Sequence, residues 1–245
     1  MIRDIYNNID NTQLNDEQQY TLREISEGKN IFLTGSAGTG KTYLIKHLRK
    51  ICENMNIIIG FTAMTGTAAY LIGGKTLHSW AGIGLGTNNI DKLVEKINKY
   101  PSSLMRWINT NILVIDEISM MNIELLEKLN KIAQIIRNNN LPFGGIQLVF
   151  SGDFYQLPPV CKDTKTSIYC FESSIWNFLI NKNVVLKTLI RQSEPLFQKC
   201  MEEARIGKLS KDTIKLLESS INKNIDKYGI IPTKIYSYKE NVENI

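Results

Sequence analysis

The chain has 245 residues, 43% of them hydrophobic, and a formal net charge of +5, enough for one large domain or two small ones around a sizeable core. No run approaches the roughly 18 apolar residues of a membrane span, and Met1–Asn8 lacks a signal-peptide stretch, so an intracellular protein is expected, its compartment open. The four cysteines (Cys52, Cys161, Cys170, Cys200) lack C-x-x-C spacing and read as buried thiols, while the mild positive charge permits nucleic-acid binding without arguing for it.

In chain order, residues 15–26 read as a helix, with Asn15 and Gln18 at capping-box spacing. Residues 31–34 read as a short buried strand. It enters Gly35-Ser36-Ala37-Gly38-Thr39-Gly40-Lys41-Thr42, the phosphate-binding pattern G-x-x-x-x-G-K-[ST]. Glycines there let backbone N–H groups turn toward phosphates, Lys41 can reach the β- and γ-phosphates, and the Thr42 hydroxyl can ligate Mg²⁺. An amphipathic helix over 41–53 leaves the loop, with apolar residues at 44, 45, 48 and 51. Strand, loop and helix together aim a helix N-terminus at an anion.

A strand is expected at 57–61 and a helix at 66–72. Residues 80–110, with Gly82, Gly84 and Gly86 ahead of a helical stretch, read as a surface insertion. The apolar strand 112–115 ends in Asp116 and Glu117. Beside a phosphate loop, such an Asp bears on Mg²⁺ and the Glu on the attacking water; alternatively the pair, or Ser119, caps the next helix. The clearest helix is 122–138, followed by a strand at 146–150. In Ser151–Val160, Gln156 stands where a polar side chain can reach a γ-phosphate or its water, so the segment reads as a sensor loop or as a plain turn. A strand at 184–187 and helices at 195–206 and 210–222 complete the chain. Apolar β-branched runs alternating with helical patterns predict an α/β fold, a parallel sheet with helices on both faces.

With these motifs in this order, the sequence resembles the petite-integration-frequency family of DNA helicases, in the 5′-to-3′ branch of superfamily one. Leu14-Asn15-Asp16-Glu17-Gln18 resembles the family's adenine-reading motif, which makes Gln18 an adenine contact as well as a capping residue. Thr62-Ala63-Met64-Thr65-Gly66, continuing to Gly74-Lys75-Thr76-Leu77-His78-Ser79, resembles its first DNA-contact motif. Thr62, Thr65, Gly66 and His78 are its candidate DNA contacts; hydroxyls and free N–H groups at a helix start suit a DNA phosphate. The competing reading leaves Thr65 as a helix cap and His78 as a packed histidine. Gly74-Lys75-Thr76 is no second phosphate loop, because Ala69 takes the place of the required glycine.

The most specific string is Gly152-Asp153-Phe154-Tyr155-Gln156-Leu157-Pro158-Pro159-Val160, followed by Phe171-Glu172-Ser173-Ser174-Ile175-Trp176 and Leu189-Ile190-Arg191-Gln192. The resemblance makes Arg191, otherwise an unremarked surface arginine, a γ-phosphate contact. It implies a RecA-like phosphate-loop fold and an ATP- and Mg²⁺-dependent helicase acting on single-stranded DNA. It also implies a monomer in which residues 1–230 form the first motor domain and 231–245 open a second, and no membrane partner. The alternatives are a nucleotide-binding interaction module without unwinding activity and a small-molecule kinase.

Overall fold

Strands β1 (Ile31–Thr34), β2 (Ile59–Ala63), β3 (Lys75–Thr76), β4 (Ile112–Asp116), β5 (Gln147–Ser151) and β6 (Lys182–Val185) pair in the order β3-β2-β4-β5-β1-β6. Every pairing is parallel. The structure, a computed structural model, describes residues 14–160, 169–221, 235–236 and 240–243. Cys161 and most of the segment expected to open a second domain, 231–237, lie outside the described residues.

The side-chain alternation of the strands divides the interior in two. Ile31, Leu33, Ile112, Val114 and Val149 face one way, toward α1 (Asp16–Ser26), α2 (Lys41–Asn54) and α3 (Gly66–Leu71). Phe32, Leu113, Ile115, Leu148 and Phe150 face the other, toward α4 (Leu77–Ala81), α5 (Ile90–Lys99), α6 (Pro101–Asn109), α7 (Ile123–Arg137) and α8 (Trp176–Leu179). This is the expected helix-covered parallel sheet.

Residues 80–110 depart from the expected surface insertion. Asn89 caps α5 through its side chain and Pro101 opens α6 at its first turn. Leu93, Ile97 and Trp107 are wholly buried against the second face of the sheet. Trp107 packs on Trp80 with ring centroids 4.8 Å apart and donates Nε1–H to Ala81 O at 2.9 Å. Arg137 secures the end of α6, donating to Trp107 O and Ile108 O, each at 2.7 Å, and to Thr110 O at 3.2 Å. The carbonyls of Trp107 and Ile108 lie in the last turn of α6, where no later N–H of the helix reaches them, and that of Thr110 caps its end, so a guanidinium is well suited to all three. The expected surface segment is therefore part of the core layer.

The chain divides into two compact units, Met1–Glu194 and Pro195–Ile245. In the second, α9 (Pro195–Arg205) and α10 (Lys211–Glu218) are joined by a turn in which Glu203 accepts from Ser210 N at 2.7 Å. Hydrogen bonds from Thr213 and from the Ser210 backbone hold that carboxyl down at about 2. A single turn, α11 (Glu240–Glu243), is also described.

Candidate functional site

Parallel pairing brings the C-terminal ends of β1, β4, β5 and β6 to one edge of the sheet, where ligands of open α/β sheets bind. The phosphate loop leaves β1 at that edge and α2 begins at Lys41. Gly38 and Gly40 both have φ +91°, in the left-handed region, and a Cβ at Gly40 would lie 2.6 Å from Gln18 Nε2. A Cβ at Gly35 would strike the carbonyl oxygen of Leu186. Lys41 Nζ donates to Gly35 O at 2.5 Å and Ser36 O at 3.1 Å, arching over the loop. Thr39 is buried and donates Oγ1–H to Ser36 O at 2.9 Å, bracing the turn.

A cavity of about 740 Å³ opens at this edge, within the range of small-molecule sites. It brings together Gln18, Ala37, Gly38, Gly40, Lys41, Thr42, Asp116, Glu117, Gln156 and Arg191, residues the sequence placed in five separate motifs. Gly35, Ser36 and Thr39 shape the loop without lining the cavity. Asn15, Tyr43, Leu71, Thr188 and Ile190 also line it. Tyr43, Leu71 and Thr188 fall in none of the quoted motifs, and Ile190 lies in the Leu189–Gln192 string without an assigned role; the place of Leu71, Thr188 and Ile190 depends on chain segments converging from afar.

Gln18 combines its two expected positions. Asn15 Oδ1 accepts from Gln18 N at 2.9 Å and Gln18 Oε1 accepts from Asn15 N at 3.2 Å, a complete capping box. Its Nε2 meanwhile reaches Gly40 O at 3.5 Å. Arg191 is exposed at the cavity wall, on a segment tied to the phosphate loop: Ile190 N and Arg191 N both donate to Gly38 O, at 2.9 and 3.2 Å.

Asp116 ends β4, buried, and its Oδ1 accepts from Ser151 Oγ at 2.7 Å. Burial pushes its carboxyl upward, opposed by the Ser151 hydrogen bond and by Lys41. Burial also raises the Glu117 carboxyl, helped by the negative charges of Asp116 and Asp153. Glu117 holds φ +55° and ψ +43°, a left-handed conformation uncommon for a residue with a side chain. The two carboxylates are thus cavity residues, and the helix cap of α7 is Asn122, whose side chain accepts from Leu125 N. Neither the acidic pair nor Ser119 caps it.

After β5, Asp153 is almost wholly buried and organises the sensor loop. Its Oδ1 accepts from Tyr155 N at 3.2 Å and its Oδ2 from Gln156 Nε2 at 3.1 Å. Between them Phe154 packs edge-on to Phe171 (4.6 Å between centroids), Tyr169 (5.8 Å) and Trp176 (6.0 Å). The loop at the cavity is therefore joined to an aromatic cluster on the second face of the sheet.

The candidate DNA contacts do not sit together. Thr62 is fully buried and donates Oγ1–H to Val114 O at 2.6 Å. Its hydroxyl is committed to the neighbouring strand, which removes it from the set. Thr65 Oγ1 accepts from Ala68 N at 3.2 Å as the cap of α3, and Gly66 is exposed beside it. His78 is half-buried on a separate cavity of about 570 Å³ with Met64, Asn122 and Lys128; burial lowers its basicity.

The donor set suits a nucleotide with a hard divalent cation. Thr42 and Asp116 offer one hydroxyl and one carboxylate at the same cavity, the sparse oxygen set of a cation that keeps waters and phosphate oxygens. Among the described residues no group of three or more His, Cys, Asp or Glu side chains could form a metal cage. Among them also, no helix is long and apolar enough to cross a membrane.

Comparison with known proteins matches residues 13–225 to the model of the PIF1-like helicase family. The chain is 42% identical over 224 residues to the ATP-dependent DNA helicase RRM3 of Saccharomyces cerevisiae, covering 89% of this chain and 31% of that protein. It is 38% identical over 230 residues to the human ATP-dependent DNA helicase PIF1, covering 94% and 35%. It thus spans about a third of the length of these curated relatives. Among solved structures, the Pif1 helicase of Candida albicans superposes with a TM-score of 0.87 at 40% identity, covering 94% of this chain and 52% of that one. The Bacteroides Pif1 helicase in complex with ADP-AlF3 and single-stranded DNA gives 0.81 at 28% identity, covering 94% and 55%.

Proposed function

The chain belongs to the PIF1-like helicase family, and on that premise we propose that it binds and hydrolyses ATP with Mg²⁺. In this reading it is the first motor domain of a helicase that moves 5′ to 3′ on single-stranded DNA. The observation that carries it is the convergence of Lys41, Thr42, Asp116, Glu117, Gln156 and Arg191 on one cavity. Residues 1–230 are read as that domain, and 231–245 as the lead into a second. The greater length of the relatives supports this division.

The residues divide the work. Gln18 reads the adenine edge while holding the start of α1. Loop N–H groups between Gly35 and Thr42 bind phosphate oxygens, and Lys41 exchanges the Gly35 and Ser36 carbonyls for the β- and γ-phosphates. Thr42 and Asp116 would hold a magnesium ion, which when bound supplies positive charge at the phosphate oxygens. Glu117, its carboxyl raised toward neutrality, accepts a proton from the attacking water. Arg191 stabilises charge on the transferred phosphoryl group and Gln156 senses its departure. Thr65, Gly66 and His78 remain the proposed DNA contacts, holding phosphates with little sequence preference.

In this reading the second motor domain donates a further arginine to the site, and such arginine fingers are worth about 10³ to 10⁵ in rate in related phosphate-loop enzymes. Weak hydrolysis and no strand separation are therefore expected of these 245 residues alone. The test is ATPase with and without single-stranded DNA, on this chain and on one extended through a second domain. DNA-stimulated turnover confined to the extended chain, and abolished by Lys41→Ala, is expected. Robust unwinding by the short chain, or phosphate transfer to a small-molecule acceptor without DNA stimulation, would overturn it.

A further inference from the structure

The segment that carries Arg191 touches the nucleotide cavity without belonging to any strand or helix at that point, yet it is tied in three places. At its start, Leu186 N donates to Thr34 O at 2.8 Å, and Gly35 packs against the Leu186 carbonyl. At its end, Ile190 N and Arg191 N share Gly38 O. Between these, Lys187 N and Thr188 N both donate to a single carboxylate oxygen, Glu17 Oε2, at 2.8 and 3.3 Å. Glu17 lies in the first turn of α1, next to Gln18, and is 170 residues from Lys187 in sequence.

We propose that Glu17 is a positioning residue that holds Arg191 at the γ-phosphate end of the cavity and couples it to the Gln18 end. Hydrogen bonds from two adjacent N–H groups converging on one carboxylate oxygen are among the stronger a backbone makes. They fix the course of residues 187 and 188, and Thr188 and Ile190 then line the cavity ahead of Arg191. The same helix turn presents Gln18 to the loop at Gly40. Glu17 itself does not line the cavity. Its effect on nucleotide therefore passes through the segment it holds, and it falls on the triphosphate rather than on the base. This rests on the ATP reading of the site.

The experiment uses the 245-residue chain, with calorimetric titration of Mg-ATPγS and of Mg-ADP and a melting curve for each variant. Lys41→Ala tests the nucleotide reading itself and is expected to abolish binding of both. Glu17→Ala is expected to weaken ATPγS about tenfold while changing ADP less than about twofold. Arg191→Ala should do the same, and the double variant should be no weaker than Arg191→Ala alone, because both remove one interaction. Glu17→Gln keeps an acceptor oxygen at the same place and should recover ATPγS binding to within about threefold of the parent. If Lys41→Ala leaves binding intact, the nucleotide reading falls and the coupling with it. If Lys41→Ala abolishes binding but Glu17→Ala weakens both nucleotides equally, or adds fully to Arg191→Ala, only the role of Glu17 is overturned. If the Glu17→Ala chain does not fold, Glu17→Asp decides in its place, because its shorter side chain withdraws the oxygen from Lys187 N and Thr188 N. Selective weakening of ATPγS over ADP there, in a chain melting like the parent, supports the coupling, and an unchanged ATPγS-to-ADP ratio overturns it.

Discussion

Ser151 Oγ donates to Asp116 Oδ1 at 2.7 Å, joining the ends of two neighbouring strands just below the nucleotide cavity. One oxygen of the proposed cation-holding carboxylate is thereby oriented, and its ionised form is favoured against the cost of burial. Ser151→Ala removes that support. The magnesium concentration that half-saturates nucleotide binding should rise several-fold, with a stability loss of about 1 kcal/mol. A magnesium titration of nucleotide affinity beside a denaturant melt separates the two effects.

Glu117 carries a stability cost with a defined pH dependence. Burial and the charges of Asp116 and Asp153 raise its folded-state value above the ordinary one of 4.5. Between 4.5 and the raised value the folded chain binds more protons than the unfolded chain. Stability therefore falls as pH rises through that window and is level above it. Glu117→Gln removes this dependence. The variant should melt about 2 °C higher at neutral pH, retain nucleotide, and lose hydrolysis by at least about 100-fold. Melting curves at several pH values, with and without the substitution, test the sign.

Phe154 should transmit the state of the sensor loop. Truncating this half-buried ring to Ala opens a gap against Phe171, Tyr169 and Trp176 and should cost about 2 kcal/mol. Trp176 lies within the cluster, whereas Trp80 and Trp107 pack on each other elsewhere. Exchange of ADP for ATPγS should change Trp176 fluorescence in the parent and not in Phe154→Ala. A Trp176→Phe control identifies the emitting residue.

Thr62 and Thr65, three residues apart, should behave oppositely. Thr62→Val leaves Val114 O without its hydroxyl donor and should lower stability by about 1 kcal/mol, with single-stranded DNA affinity unchanged. Thr65→Ala loses the α3 cap at a similar cost and should also weaken DNA binding and flatten its salt dependence. Fluorescence anisotropy of a labelled oligonucleotide at two salt concentrations distinguishes them.

The parts of the fold legible from sequence are those whose signals are local. The runs read as strands at 31–34, 112–115 and 146–150 are largely apolar because both their faces are covered, and the structure places strands at Ile31–Thr34, Ile112–Asp116 and Gln147–Ser151. β2 begins two residues later than expected, since Ile58 is half exposed ahead of the sheet and only Ile59 onward joins the ladder with β4. β6 begins two residues earlier, at the polar pair Lys182-Asn183 on the sheet margin, where no apolar signal is needed. β3, with only Lys75 and Thr76, has no pattern to read. Glycines at 82, 84 and 86 obscured how deeply Leu93, Ile97 and Trp107 are buried. In the site, phosphate-loop and carboxylate residues were legible because their spacing is set by one turn each. Thr188 was not, and Glu17 and Ile190, though inside quoted motifs, carried no sign of their roles, since these come from segments that meet only in the folded chain. The abundant asparagines were equally silent in sequence. Asn30 Oδ1 accepts from Leu148 N, Asn111 Oδ1 from Ile58 N and Asn130 Oδ1 from Phe143 N, so several of them join distant backbone segments.

The strand order puts β1, first in the chain, between β5 and β6, the last two to be made. Glycine-rich turn, acidic pair and arginine-bearing segment thus become neighbours only after about 190 residues exist. During synthesis the first helices can form early, but nucleotide has nothing complete to bind until the central strands have accepted the latecomer on the far side of β1. Ligand cannot guide the early steps of assembly, and a nascent chain paused before Lys182 would carry an open strand edge at β1. Timing, as much as chemistry, is therefore written into this topology.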